Sequence, residues 1–181
     1  MATAKPALRY LKKTGTTRLR YSSSSTTELH GYTDSDWAQD SQDQKLQGGY
    51  VFMTNGLISW QSIKQEIVAR STTEAEYVAC SKAARKAQWL IQLQKDVTGS
   101  QPQGPTARYS DSTGALKNIT NRASKARTKH INIRYKNSCD LQERGILDFT
   151  HVRSEDNLAD IMTKPLPITA HQKLSLSMNL R

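Results

Sequence analysis

Four carboxylates stand out in this chain for where they fall. Asp34 closes the apolar-alternating part of Leu29-His-Gly-Tyr-Thr-Asp-Ser-Asp-Trp37, Glu76 opens a long periodic segment, Asp111 follows Ala107–Ser110, and Asp160 lies in the late stretch Leu158–Leu166. Hydrolysis of a phosphodiester needs a water ionised near neutral pH and a leaving oxygen whose charge is neutralised, and two Mg²⁺ ions roughly 3.5 to 4 Å apart supply both. Mg²⁺ takes hard oxygen ligands and keeps positions open for water and phosphate, so four acids delivered to one place by four elements would suit it. Taken singly, an Asp or Glu is more often a solvated surface group. The elements that carry the four therefore decide whether they form a set.

From Glu28 the pattern has a period of two, with Leu29, Gly31 and Thr33 opposed to His30, Tyr32 and Asp34, which predicts a strand ending at the first acid. Gly48–Thr54 and Leu57–Gln61 flank Asn55-Gly56, a dipeptide that supplies the positive backbone angles of a tight turn, so an antiparallel hairpin is expected, with Glu66–Arg70 extending the sheet. Ser71-Thr-Thr-Glu74 reads as a capping box opening a helix to about Val97. Ala75, Ala79, Ala83, Ala87, Leu90 and Leu93 give that helix a small-residue face that could lie close on a sheet, with Glu76 in its first turn. The Pro- and Gly-containing stretch from Gly99 to Pro105 breaks the pattern. A strand over Ala107–Ser110 then runs into Asp111, and a short helix follows over Thr113–Thr120. Thr128–Glu143 predicts a helix stopped at Gly145, Ile146–Val152 the last strand, and Ser154 the cap of the helix bearing Asp160, with a final amphipathic turn or two over Thr169–Met178. Strand-to-helix order, repeated, means a mixed α/β sheet with some parallel pairing.

The 181 residues suffice for one domain with a substantial core. The six hydroxyl residues Ser22–Thr27 read as a linker, dividing a basic extension at 1–27, with a short helix over Pro6–Lys13 and a strand fragment at Leu19–Tyr21, from a folded domain at 28–181. No run approaches the 18 to 20 or so apolar residues of a membrane span, and the start lacks the apolar run of about 7 to 15 residues of a signal peptide. Cys80 and Cys139 are far apart and in no metal-ligand spacing, which reads as two reduced, partly buried thiols in an intracellular compartment. The formal charge of +10 favours a polyanionic partner. It gathers in Lys5, Arg9, Lys12, Lys13, Arg18 and Arg20, and again in Arg122, Lys125, Arg127, Lys129, Arg134 and Lys136.

The wording and order of the motifs add to this. Gly31-Tyr-Thr-Asp-Ser-Asp-Trp-Ala38, Gly49-Tyr-Val-Phe52 with Ile58-Ser-Trp60, Ser71-Thr-Thr-Glu-Ala-Glu-Tyr-Val-Ala79, Tyr109-Ser-Asp111, Arg127-Thr-Lys-His-Ile-Asn-Ile-Arg-Tyr135 and Leu158-Ala-Asp-Ile-Met-Thr-Lys-Pro-Leu166 together resemble the ribonuclease H domain of copia-type LTR retrotransposon Pol polyproteins, from about Leu8 to the end. The resemblance implies a ribonuclease H-like α/β fold with a five-stranded mixed central sheet flanked by helices. It also implies cleavage of the RNA strand of an RNA–DNA hybrid to 3′-hydroxyl and 5′-phosphate ends by two Mg²⁺ ions, for which Mn²⁺ would substitute. Asp34 then matches the ligand shared by both metals, Glu76 and Asp111 those of the metal beside the leaving group, and Asp160 that of the metal activating water. Residues 1–27 resemble the tail of the connection to reverse transcriptase, which becomes the expected partner. A cytoplasmic virus-like particle becomes the expected compartment in an active element.

Asp36 and Glu74 each lie two residues from a proposed ligand and are the rivals; the family motif favours Asp34, two residues after Tyr32, and Glu76. The loop Arg153–Asn157 lacks the histidine many ribonucleases H carry there, leaving His151 on the preceding strand as the stand-in to examine. Asn132, Lys136 and Asn137 depart from the usual copia-type wording, which bears on the packing of that helix. Lys125, Arg127, Lys129 and Arg134 are candidates for phosphate contacts, against a solvated helix face. Thr72, Thr73 and Ser112 are candidates for polar contacts to an RNA strand recognised by its 2′-hydroxyls, though capping alone would explain Thr72. Trp37, Trp60 and Trp89 read as core or sheet-packing residues. Two other readings stand beside the nuclease: a degenerate copy that only binds nucleic acid or a reverse transcriptase, and an integrase of the same fold, which would need a glutamate where the chain has Leu147.

Overall fold

The computed structural model describes residues 4–22, 28–36, 46–65, 72–100, 104–120 and 132–181, with side chains in the last of these from Asn137. Helix α1 (Ala4–Thr14) precedes strands β1 (His30–Asp36), β2 (Gln47–Met53) and β3 (Leu57–Lys64). Helix α2 (Thr72–Thr98), strand β4 (Thr106–Ser110) and helix α3 (Thr113–Thr120) follow. Helix α4 (Asn132–Glu143), strand β5 (Leu147–His151) and helices α5 (Asp160–Thr163) and α6 (Ile168–Ser177) complete the chain. The five strands form one sheet in the order β3-β2-β1-β4-β5, antiparallel across β1–β2 and β2–β3 and parallel across β1–β4 and β4–β5, so the expected mixed sheet is present.

Alternation of side chains along the strands gives the sheet two apolar faces. Phe52, Leu147 and Phe149 pack on one side with Tyr77, Cys80, Ala83, Ala84 and Ala87 of α2, Leu116 and Ile119 of α3, and Cys139 and Leu141 of α4. Val51, Met53 and Leu57 pack on the other with Leu158, Leu174 and Met178. The alanines of α2 are buried as expected, but Leu93 is exposed. At 1.5 Å per residue the 27-residue helix is about 40 Å long, whereas a strand of 5 to 8 residues spans about 16 to 27 Å, so its last turns run past the sheet. Trp89 is 54% exposed because it sits on the outer face of α2, where its neighbours Ala87 and Leu90 turn to the core, and lies under the Lys86 ammonium at 3.9 Å; Trp60, on the edge strand, is 51% exposed. Neither is the core residue expected of it; Trp37 lies outside the described residues.

The hairpin is where the sequence puts it, but neither Asn55 nor Gly56 takes a positive φ. The turn closes with the Thr54 N–H donating to the Gly56 carbonyl, beside an irregularity at Phe52/Met53. Gly56 is needed instead for close approach: a Cβ there would lie 2.7 Å from the Arg20 carbonyl oxygen. That contact shows how residues 17–22 are stitched to the domain. Arg18 and Arg181 exchange backbone hydrogen bonds of 2.7 and 3.0 Å, and the Tyr21 hydroxyl donates to the Leu57 carbonyl. Gly99 and Gly145, by contrast, do take positive φ, at 69° and 64°, and stop α2 and α4 as helix-terminal glycines do.

Cys80 and Cys139 are buried free thiols. Arg108, part of the cationic tally, is spent inside: its guanidinium donates to the Ala83 carbonyl at 2.7 Å and lies over the Phe52 ring. No helix among the described residues is long and apolar enough to cross a membrane. The Ser71 cap and the Glu66–Arg70 extension fall outside the described residues.

Candidate active site

Asp34 and Asp111 lie where the two adjacent parallel strands part, Asp111 just past β4 and Asp34 within β1, which runs two residues beyond the end expected for it. Pairing between β1 and β4 ends at Thr33 with Ser110, and one residue further each chain presents an acid. Ligands of open α/β sheets collect at such strand ends. Asp34 itself is 1% exposed, and across the antiparallel side it pairs with Gly49. That glycine lets a helix close over the acid, because a Cβ at 49 would lie 2.7 Å from Met162 Cβ and 2.9 Å from Thr163 Cγ2. α5 therefore sits directly on the sheet with Asp160, Thr163 and Lys164 above Asp34. Glu76 comes from the opposite layer, on the second turn of α2.

One carboxylate oxygen each from Asp34, Glu76 and Asp111 lies within 4.8 Å of the others. Asp160 is outside that trio but joined to it, since the Lys164 ammonium donates to Asp160 Oδ1 at 3.1 Å and to Asp34 Oδ1 at 3.2 Å. The rivals are not part of the trio: Asp36 pairs with Gln47 further along β1, and Glu74 lies a half-turn earlier on α2.

The surroundings push Glu76, Asp160 and Asp34 toward holding protons. Burial, then the charges of Asp34 and Asp111, raise Glu76 to about 8 against the opposing Ser35 N–H and Lys164. Burial and then Asp34 raise Asp160 to about 6 despite Lys164. Burial also raises Asp34, outweighing the Thr163 hydroxyl and the Lys164 ammonium. For Lys164 burial works in the other direction, but the carboxylates together hold it above the ordinary lysine value. Like charges desolvated within a few ångströms of one another are what a multivalent cation relieves. Glu76 Oε2 is shut from solvent with no hydrogen-bond partner. An all-carboxylate donor set with an unpartnered buried oxygen fits a hard divalent ion such as Mg²⁺.

Residues the sequence did not single out hold the acids in place. Asn157, fully buried, donates through Nδ2 to the Thr33 carbonyl at 3.1 Å and to Asp111 Oδ1 at 3.3 Å, and its Oδ1 accepts the Ala159 N–H at 3.2 Å. Ser154 is no helix cap: its hydroxyl donates to Asp111 Oδ2 at 2.6 Å, while α5 begins after Ala159 without a side-chain cap. The loop needs no cap there because Ser154–Asp156 forms a tight turn of its own, tied to α6 by Lys173 on Asp156 at 2.7 Å. The Thr163 hydroxyl donates to Asp34 Oδ2. Thr163 and Lys164 stand three and four residues after Asp160, the spacing that shares a helix face, which is the signal that could have found them.

The expected substrate contacts divide. Thr72 is exposed and Thr73 half-buried against Gly114 at the head of α3. The Ser112 oxygen accepts the Ala115 N–H at 3.2 Å, so Ser112 caps α3. Lys125, Arg127 and Lys129, and the side chain of Arg134, lie outside the described residues. His151 is exposed and pairs with Ser110, one residue from Asp111.

No protein-family model matches the chain. Among curated proteins it is 37% identical over 172 residues to the retrovirus-related Pol polyprotein from transposon RE2 of Arabidopsis thaliana, covering 94% of this chain. It is likewise 37% identical over 161 residues to that from transposon TNT 1-94 of Nicotiana tabacum, covering 88%. The chain spans 12% of the length of each. Among solved structures it superposes on LC11-RNase H1 in complex with an RNA/DNA hybrid, with a TM-score of 0.53 and 16% identity over 75% of this chain and 94% of that one.

Proposed function

Given that the chain belongs to the retrotransposon Pol polyproteins and has the ribonuclease H fold, we propose that it is the domain cutting the RNA strand of RNA–DNA hybrids in reverse transcription, with Asp34, Glu76, Asp111 and Asp160 holding two Mg²⁺ ions. One observation carries this: three carboxylate oxygens from β1, α2 and the end of β4 meet within 4.8 Å at one rim of the sheet. When bound, two such ions supply the charge that ionises the attacking water and neutralises the leaving oxygen, giving 3′-hydroxyl and 5′-phosphate ends.

The protein's part is to fix the acids and exclude water. Asp34 belongs to the carboxylate trio and also shares the Lys164 ammonium with Asp160, so it is placed to serve both sides. Asn157 and Ser154 between them take both oxygens of Asp111 and aim it. Glu76 is held by burial and the Ser35 N–H. Lys125, Arg127, Lys129 and Arg134 would meet backbone phosphates, and Thr72, Thr73 and Ser112 the 2′-hydroxyls that distinguish RNA. Residues 1–27 would join the domain to a reverse transcriptase partner in the same polyprotein, acting inside a cytoplasmic particle in an active element.

The test is incubation of the domain with a labelled hybrid and Mg²⁺ or Mn²⁺. Metal-dependent cleavage of the RNA strand with 5′-phosphate products is expected. One observation favours a second reading, a domain that binds without cutting: Lys164 already neutralises Asp34 and Asp160. Hybrid binding with no cleavage at any enzyme excess would select it.

A further inference from the structure

Both oxygens of Asp34 are taken by two consecutive residues at the end of α5: Oδ2 accepts the Thr163 hydroxyl, and Oδ1 the Lys164 ammonium at 3.2 Å. The same ammonium is 3.1 Å from Asp160 Oδ1. An ion within the roughly 2.0 to 2.1 Å that Mg²⁺ demands of both carboxylates would compete with the ammonium for the same ground. Lys164 is equipped to leave. Its backbone is extended, just past the last turn of α5 and fixed by Pro165, while its side chain is 28% exposed on a flexible stem. Asp34 at 1% exposure has no such freedom.

Resting on the nuclease reading above, we propose that Lys164 is an exchangeable internal counter-cation, which neutralises the Asp34–Asp160 side of the site in the metal-free protein and swings out to solvent as a divalent ion binds. It holds the acids together before metal arrives and weakens the affinity of that position. Lys164 is thus a positioning residue, and the second reading above loses its ground, because a lysine on the acids is the resting state of a working site.

The test compares Mn²⁺ binding by calorimetry in the wild type, Lys164→Met and Lys164→Arg, with melting temperatures in EDTA and in saturating Mn²⁺. Lys164→Met keeps the length and removes the charge. It should bind Mn²⁺ about tenfold tighter or more, since the ion no longer has to displace an ammonium paired with two carboxylates at 3.1 and 3.2 Å, an attraction that persists even at an effective dielectric of about 20. It should melt lower than wild type in EDTA, with the gap closing in Mn²⁺, while Lys164→Arg binds as wild type does. Equal or weaker Mn²⁺ affinity in a folded Lys164→Met overturns the exchange but leaves the nuclease reading standing if the wild type binds Mn²⁺ and cuts. Failure of the folded wild type to bind Mn²⁺ at all removes both. A measurement without any variant guards against misfolding: in ¹⁵N-lysine-labelled wild type, one ammonium should exchange its hydrogens slowly in EDTA and rapidly in saturating Mg²⁺. An ammonium whose exchange does not change refutes the proposal.

Discussion

Replacing Asn157 would separate what holds the site from what fills it. Asn157→Ala deletes a donor to the Thr33 carbonyl at 3.1 Å, a donor to Asp111 Oδ1 at 3.3 Å and an acceptor for the Ala159 N–H at 3.2 Å. At about 1 kcal/mol for each neutral bond and 1.5 to 3 for the charged one, and allowing water to recover part of the bond to half-exposed Asp111, the loss is about 3 kcal/mol. For a chain of this size 1 kcal/mol moves the melting temperature by about 2 to 4 °C, so a drop of about 6 to 12 °C is expected. Freed on one side, Asp111 should wander by the ångström or so that costs about a hundredfold in turnover, with KM for the hybrid nearly unchanged. Asn157→Asp keeps the shape but sets a like charge 3.3 Å from Asp111 Oδ1, a repulsion bounded at about 5 kcal/mol for an effective dielectric of about 20. That variant should be destabilised without metal and regain more on adding Mn²⁺ than wild type does. The assays are melting curves in EDTA and Mn²⁺ and steady-state cleavage of a labelled hybrid. A melting temperature unmoved by Asn157→Ala, or a fall in stability with turnover intact, would show that Asn157 is packing and does not aim Asp111.

Asp34→Asn should abolish cleavage while leaving hybrid binding, because an amide cannot bridge two cations; retained turnover would mean the ligand is another acid. Hybrid affinity should fall steeply with salt, the slope counting neutralised phosphates, and a flat response would dismiss the basic face. In EDTA the fold should lose stability as pH rises from about 4.5 to about 8, because Glu76 binds its proton more tightly folded than unfolded, so the native state holds more protons across that window. Glu76→Gln should flatten that slope in a pH series of melting curves; an unchanged slope would place the proton elsewhere.

Much of this frame was legible because it rests on periodicity. The alternation around Tyr32 and Thr33, the paired runs about Asn55-Gly56 and the alanine spacing of α2 each repeat a local rule that tertiary packing reinforces. The four acids were legible only through the wording of several motifs together, since a lone Asp111 looks like any loop acid. Residues that hold the acids escaped notice for the same reason: Ser154 in a polar loop reads as a cap, and Asn157 only as the end of that loop, until the fold brings the end of β4 beside them. Trp60 and Trp89 went astray because hydrophobicity does not report that β3 is an edge or that position 89 falls on the outer face of α2. At Gly56 the local rule named the right residue for the wrong reason, a positive φ where the need is room for the Arg20 carbonyl.

The most direct measurement is diffraction from crystals soaked in Mn²⁺, collected near the manganese edge. Two anomalous peaks should appear roughly 3.5 to 4 Å apart, one among Asp34, Glu76 and Asp111 and the other between Asp34 and Asp160, with the Lys164 ammonium withdrawn. No peak at saturating Mn²⁺, or peaks bound only by other acids of the surface, would contradict the account.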